Sequence, residues 1–409
     1  MELQEIDKEI KRMASLPHNA VGRIADTYDT LQSLVLIREM QRTYLAGRDG
    51  PDAVKTLIFC SDLISYNIIK LLQRILRTLS AGASPQLASV IGPAVWISNL
   101  LGLSDAITTV AIAHGGLQLR RRQRVELINE LLDTYSDVCV EFTKINMTRL
   151  VSDSIERGYL DDAVAALVQN FKLISASIQR HTFTRTSYDF QVDGDYYAYI
   201  RICIDSMCTS ADTYIDQFRL LHQIPEALAV VIDHGVRESV ALASAGNIIE
   251  SAHALDKVMD LFDLVIVSLD PLLELMYPSE YYKFRENLGG TSGSHSQSLA
   301  LRLLREAYML MATTFRHVVE NLDSASDRGA VAALTSAAFG FRHRVYLWRQ
   351  KHLLLPRNVL GVETTSLTGS KNAPDAVHRL AETFERLDPL TSHFRDDGAV
   401  FAPPPTKRI

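Results

Sequence analysis

Residues 50–77 read GPDAVKTLIFCSDLISYNIIKLLQRILR. Gly50, Pro51 and Asp52 open the stretch, and apolar residues then recur at helical period from Ala53 to Arg77. Proline's fixed φ suits a first helical turn, and an aspartate beside it can accept from the amides left unpaired there. The stretch therefore predicts one long helix. The same period returns along most of the chain. From Asp161 to Ile178, after a break at Gly158, Val164, Leu167, Val168, Phe171, Ile174 and Ile178 share one face. Strand-like alternation bounded by turn residues is scarce, so the predicted fold class is all-α.

The bulk properties narrow the function. A chain of 409 residues has room for two or three domains, and 47% hydrophobic content excludes a mainly disordered protein. Its 42 basic against 48 acidic residues give a net charge of -6, which offers no global attraction for nucleic acid. Met1 to Met13 alternates charged and apolar residues, unlike a secretory signal, and a cytoplasmic location is expected. Cys60, Cys139, Cys203 and Cys208 form neither a paired framework nor a CxxC motif, which predicts reduced thiols packed as small hydrophobes. Leu87 to Leu119 is strongly apolar and is followed by Arg120, Arg121, Arg122 and Arg124. Gly92-Pro93, Asn99, Gly102 and Asp105 are expected to break it into a pair of buried helices, short of the roughly 20 residues that cross a bilayer. No membrane association is expected, and the arginines read as a solvated helix face.

Periodicity lapses between His181 and Asp195, a polar and aromatic stretch taken as a domain boundary. It separates an N-terminal helical domain, residues 1–180, from a core at 181–409. Within the core a helical pattern runs from about Tyr199 through Asp256 to Leu275, where Pro278 ends it. Gly289 to Ser296 is a Gly/Ser-rich loop, and Leu299 to Leu322 is helical again. From Val362 the chain is polar and loop-like except for Ala376 to Leu387.

Three histidines have chemistry beside them. Trp348 and His352 lie four apart on one helix face, and Pro356 predicts a kink or loosening one turn later; an imidazole among leucines there suits an axial ligand. Phe218 and His222 are likewise four apart and can flank a planar ring, with Pro225 placing helix continuity in question. Tyr281 and Arg285 put a phenol and a guanidinium on one face, able together to hold a carboxylate. The glycine-rich stretch carrying Ser292 and His295 follows, without the GxxxxGK[ST] order of a nucleotide loop. Taken singly, each histidine is better read as a structural residue, packed or solvated.

Taken in order, these segments resemble the tryptophan 2,3-dioxygenase family of haem enzymes, over about Tyr196 to Ala373. Tyr199-Ile-Arg-Ile-Cys203 is similar to the family's entry segment. Phe218, His222 and Gln223 match its distal helix, Phe284-Arg285-Glu-Asn-Leu288 its carboxylate-binding motif, and Ser292-Gly293 its Ser-Gly step. Trp348-Arg349, His352 and Leu360-Gly361 fit its proximal helix, and His222 and Arg285 are 63 residues apart, close to the family's spacing.

The resemblance implies a helical-bundle haem-dioxygenase-like core with an added N-terminal helical domain. His352 would bind the iron of a non-covalent haem b, with Trp348 and Gly361 beside the cofactor and O2 as co-substrate. Arg285 and Tyr281 would hold the carboxylate of an aromatic amino acid, Phe218 would pack its ring, and His222 would meet the ring's polar edge. Ser292 would stand near the reacting centre, and Thr368 would reach the ammonium or carboxylate from a closing loop. A homo-oligomer is implied as well. The chain departs from the family where Gly290-Thr-Ser-Gly-Ser-His295-Ser replaces Pro-Ala-Ser-Gly-Phe-Gln-Ser, exchanging an aromatic for an imidazole. His295, if it points into the pocket, would supply a proton donor that favours O–O cleavage and mono-oxygenation over ring-opening dioxygenation. The alternative expectation is a cofactor-free helical scaffold that keeps the fold.

Overall fold

The computed structural model describes residues 37, 40–42, 44–47, 50–80, 88–114, 133–134, 136–138, 213–278, 281, 299–321 and 328–360. Seven helices are named among them: α1 Ala53–Ser80, α2 Ala88–Ala113, α3 Thr213–Ser244, α4 Ile248–Val267, α5 Asp270–Leu275, α6 Leu299–Asn321 and α7 Arg328–Leu360. The described residues hold no strand, only an isolated antiparallel bridge between Ala46 and Pro51, and the all-α class stands.

The start of α1 follows the sequence. Asp52 accepts a hydrogen bond at Oδ1 from the Lys55 amide at 3.0 Å, the capping arrangement its position predicts. The turn before it lies hard against α3, because a Cβ at Gly50, where φ is 134°, would come within 2.6 Å of the His234 ring.

Proline is where sequence and structure part. α2 is one helix with Pro93 inside it, not the expected pair, and Asn99, Gly102 and Asp105 do not divide it. Pro93 falls in the second turn, so it removes one early hydrogen bond and leaves the rest of the helix intact. Among the described residues this helix, over Gly92–Ala113, is long and apolar enough to cross a membrane, and half of its apolar window is buried inside the molecule. Pro225 lies within α3, and α7 continues through Pro356 to Leu360. An interior proline costs roughly 3 kcal/mol. In α3 that cost is offset by burial around it, where Leu221, Ile224, Ala227 and Leu228 are at most 1% exposed and each large side chain contributes about 1.5–3 kcal/mol.

The pattern expected to run on to Leu275 is instead cut twice. Gly246, with φ 83°, ends α3: its amide reaches the Ala243 carbonyl at 3.0 Å, and the Asn247 amide reaches Leu242 at 2.9 Å. This is a Schellman closure, which needs the left-handed conformation glycine adopts freely. Pro271, in the first turn of α5, separates that helix from α4.

α3 and α4 form an antiparallel hairpin of close approach. Gly235 lies directly on Val258, and Ser239 and Ser251 each donate to the other's carbonyl at 2.7 Å. α7 runs parallel to α4. Gly340 lies on Met259, Arg344 grips Asp263 through two hydrogen bonds of 2.9 and 2.8 Å, and Lys351 pairs with Asp270, each pair 81 residues apart. α6 must run antiparallel to α7. At about 34 Å it is too long for residues 322–327, at most about 3.5 Å each, to return the chain to its other end. The two meet at Tyr308 and Phe341, whose ring centroids are 6.3 Å apart, and Phe341 also meets Phe262 at 5.3 Å. α3, α4, α7 and α6 thus form a square, with α3 and α7 on the diagonal.

The α1–α2 hairpin packs on α3. Arg74 pairs with Asp216 at 3.1 Å, and Gln41 donates to the Ala227 carbonyl at 2.6 Å. One apolar core extends from Ile37 and Met40 through α1–α4 to Phe341. The boundary expected at 181–195, the helix at 161–178 and the arginines at 120–124 lie outside the described residues.

Candidate functional site: an aromatic end of the bundle

Tyr214, Phe218 and His222 stand at four-residue spacing on α3, so they share one strip of its surface. Tyr277 and Tyr281 repeat the spacing across from them, joined by a helical hydrogen bond of 3.0 Å from the Tyr281 amide to the Tyr277 carbonyl. The result is a ladder of rings. Tyr214 meets Tyr277 edge-on at 6.4 Å, and Phe218 meets Tyr281 at 6.3 Å, both separations typical of aromatic pairs. Each rung joins residues 63 apart (277 minus 214, 281 minus 218). On its other side Tyr214 meets Trp96 of α2 at 6.1 Å, again edge-on.

His222 packs its ring against Phe218, with centroids 4.2 Å apart and planes tilted by 42°. Its Nδ1 lies 2.6 Å from the Phe218 carbonyl oxygen. A carbonyl only accepts, so Nδ1 carries the proton and, in the neutral imidazole, Nε2 carries the lone pair. The tautomer follows from that network, and Nε2 becomes the nitrogen suited to accept an N–H or O–H. Gln223, the next residue, turns the other way and is wholly buried.

The parallel run of α7 along α4 brings the backbone of His352, just beyond the Lys351–Asp270 pair, to this end of the bundle. Trp348, one turn earlier, is half-buried and packs against the core. Tyr346 and Leu347 face outward. The side chain of His352 lies outside the described residues, as do Arg285, Ser292, His295, Gly361 and Thr368 in full. The chain leaves the described structure at Tyr281, on the ladder, and returns at Leu299 to begin α6.

Of the expected site residues, the structure therefore brings together Phe218, His222 and Tyr281, with Trp348 at the same end. Sequence reasoning passed over Trp96, Tyr214, Tyr277 and Gln217. The signal was present in the matched spacings, Tyr214 to Phe218 and Tyr277 to Tyr281, each of four residues. Gln217 gives no such signal, since only burial reveals that its amide is wholly enclosed.

Two titratable groups elsewhere are shifted. Burial, with the Asp62 carboxylate second, pushes the Cys60 thiol far up, so it stays protonated and behaves as the small core hydrophobe expected of it. Burial lowers His114 at the end of α2, against the opposing pull of Asp260, whose carboxylate is 3.9 Å away. Among the described residues no three His, Cys, Asp or Glu side chains gather as a metal-binding group.

No protein-family model matches the chain, and no curated protein matches it.

Proposed function

We propose that the chain is a haem-dependent oxygenase that inserts oxygen from O2 into an aromatic amino acid, tryptophan or a related indole or tyrosine derivative. The ring ladder carries this reading. Tyr214 pairs with Tyr277 and Phe218 with Tyr281 at an offset of 63 residues, and the same offset separates His222 from Arg285. Continued for one further helical turn, that register would set imidazole and guanidinium opposite each other as a third rung. An aromatic amino acid calls for such a set: faces to stack on, an acceptor for a ring N–H, and a planar cation for the carboxylate.

In this reading each residue has a distinct task. Phe218 packs the substrate ring, His222 accepts from the ring's polar edge through Nε2, and Arg285 with Tyr281 holds the carboxylate. Thr368 contributes from the closing loop, while Ser292 and His295 lie by the reacting atoms, His295 as a proton donor. The residues present suit haem b. A porphyrin asks the chain for one axial imidazole and apolar walls, and Trp348 packs on the core one turn before His352 at the ring-lined end of the bundle. His352 would hold the iron, with Trp348 and Gly361 flanking the macrocycle. When bound, the haem supplies the oxygen chemistry, and the protein supplies orientation and exclusion of water. The resemblance also supports a homo-oligomer.

Incubation with haemin, O2, a reductant and L-tryptophan or L-tyrosine tests the proposal by product mass. A gain of one or two oxygen atoms, lost in Phe218→Ala, is expected. Recovery of both amino acids unchanged would favour a cofactor-free scaffold.

A further inference from the structure

We infer that the outer face of the α4–α7 pair docks a second copy of this chain about a twofold axis parallel to the helices, so that α7 of each copy covers α4 of the other. The inference rests on exposure, charge and register, and is independent of the haem. Among the described residues eight large hydrophobic side chains are exposed, and five of them, Ile249, Val267, Tyr346, Leu347 and Leu354, belong to these two helices. The helices are also oppositely charged. Residues 248–275 hold six Asp and Glu against one Lys, whereas α7 holds six Lys and Arg and no acid.

Two matching strips carry the contact. On α4, Asp256, Asp260, Asp263 and Val267 follow at steps of four, three and four residues. On α7, His343, Leu347, Gln350 and Leu354 repeat those steps, so each set shares one helix face. Asp256, Asp260, Val267, His343, Leu347 and Leu354 are exposed, and Asp263 and Gln350 are partly so. Asp260, 3.9 Å from His114, keeps more than half of its side chain in solvent. The Arg344–Asp263 and Lys351–Asp270 bridges run along the seam between the strips and fix their register at 81 residues. His343 therefore stands level with the turn from Asp260 to Asp263, and Leu347 stands beside Val267.

A twofold axis along the helices keeps these heights while it exchanges the strips. In one operation it lays Leu347 of each copy on Val267 of the other and His343 on the other's Asp260, a basic helix on an acidic one. An axis across the helices would instead oppose one aspartate strip to another. A partner of a single charge sign would be repelled by one of the two helices, whereas the chain's own face carries both signs at matching heights. The area suits a dimer as well: α4 is about 30 Å long and a pair of helices about 20 Å across, a projection on the order of 600 Å², near the roughly 800 Å² per partner of a stable interface.

Analytical ultracentrifugation of the full chain as purified, across the micromolar range, should show a monomer–dimer equilibrium whether or not haem is bound. Leu347→Asp and His343→Glu should each weaken the dimer by about tenfold or more, because each sets a carboxylate against the aspartate strip of the second copy. Helical circular dichroism should be unchanged, since both side chains are exposed. Asp260→Arg added to His343→Glu should restore the dimer, and a mixture of the Asp260→Arg and His343→Glu single variants should form a heterodimer tighter than either homodimer. A chain that stays monomeric, a dimer that tolerates both Leu347→Asp and His343→Glu, or a failure of Asp260→Arg to rescue would overturn the inference.

Discussion

At the turn end of the α3–α4 hairpin, Gly235 lies on Val258, and Ser239 and Ser251 exchange hydrogen bonds through hydroxyl and carbonyl. At the far end the same two helices lead to Tyr214, Phe218 and His222, to the facing Tyr277 and Tyr281, and to a buried glutamine with neither amide atom partnered. One end is made of small residues whose polar groups satisfy one another at close range. The other is made of large rings, several half in solvent. Local consistency of propensity, packing and hydrogen bonding marks a part of a fold that serves stability, and its breakdown marks where a sequence is answering to something else. On the proposed reading, the turn end serves folding and the aromatic end serves binding.

Substitutions at the two ends should therefore fail in different ways. The largest effect is expected at the aromatic end, where Arg285→Ala should cost about 2–4 kcal/mol of aromatic amino-acid binding while Tm and haem content hold. Calorimetric titration with L-tryptophan reads this, and unchanged affinity would remove Arg285 from the site. At the turn end, Ser239→Ala removes the hydroxyl that donates to the Ser251 carbonyl and lies 3.0 Å from the Ser251 hydroxyl, while Ser251 still donates to the backbone carbonyl of residue 239, and it should lower stability by about 0.5–1.5 kcal/mol in urea unfolding. The double variant with Ser251→Ala should be less destabilised than the sum of the singles, because both polar groups leave together. Strict additivity would show that the serines are not coupled.

The smallest expected effect concerns pH. Burial holds the folded-state pKa of His114 below its ordinary value of 6.5, so below that pH the unfolded chain binds more protons than the folded one. Its contribution to stability is complete above pH 6.5 and is lost as pH falls from there through the folded-state pKa. His114→Gln should flatten this part of the stability profile, read as Tm between pH 7 and pH 5. A profile unchanged by the substitution would assign the slope to other groups.

Helix locations were largely legible in the sequence, and helix interruptions were not. Asp52 announced the start of α1, and the periodic stretch from Leu299 matched α6. Pro93 and Pro225 put helix continuity in question yet lie inside helices, because one missing hydrogen bond is small beside the apolar surface those helices bury, and α7 runs on through Pro356. The true interruptions came from Gly246 and Pro271. Each depends on local geometry, a left-handed turn for the glycine and a first-turn position for the proline, that a periodicity reading averages away. In the candidate site, Phe218, His222 and Tyr281 were legible because spacing on a helix fixes a shared face. Their joining to Trp96 and Tyr277 was not, since it depends on how distant helices cross.

The central claim is that the aromatic end of this bundle holds a haem on His352, and the absorption spectrum of the purified protein reconstituted with haemin tests it most directly. The account predicts a strong Soret band that is lost in His352→Ala while the helical circular dichroism is unchanged. A protein that stays colourless, or a Soret band that persists undiminished in the variant, would contradict it.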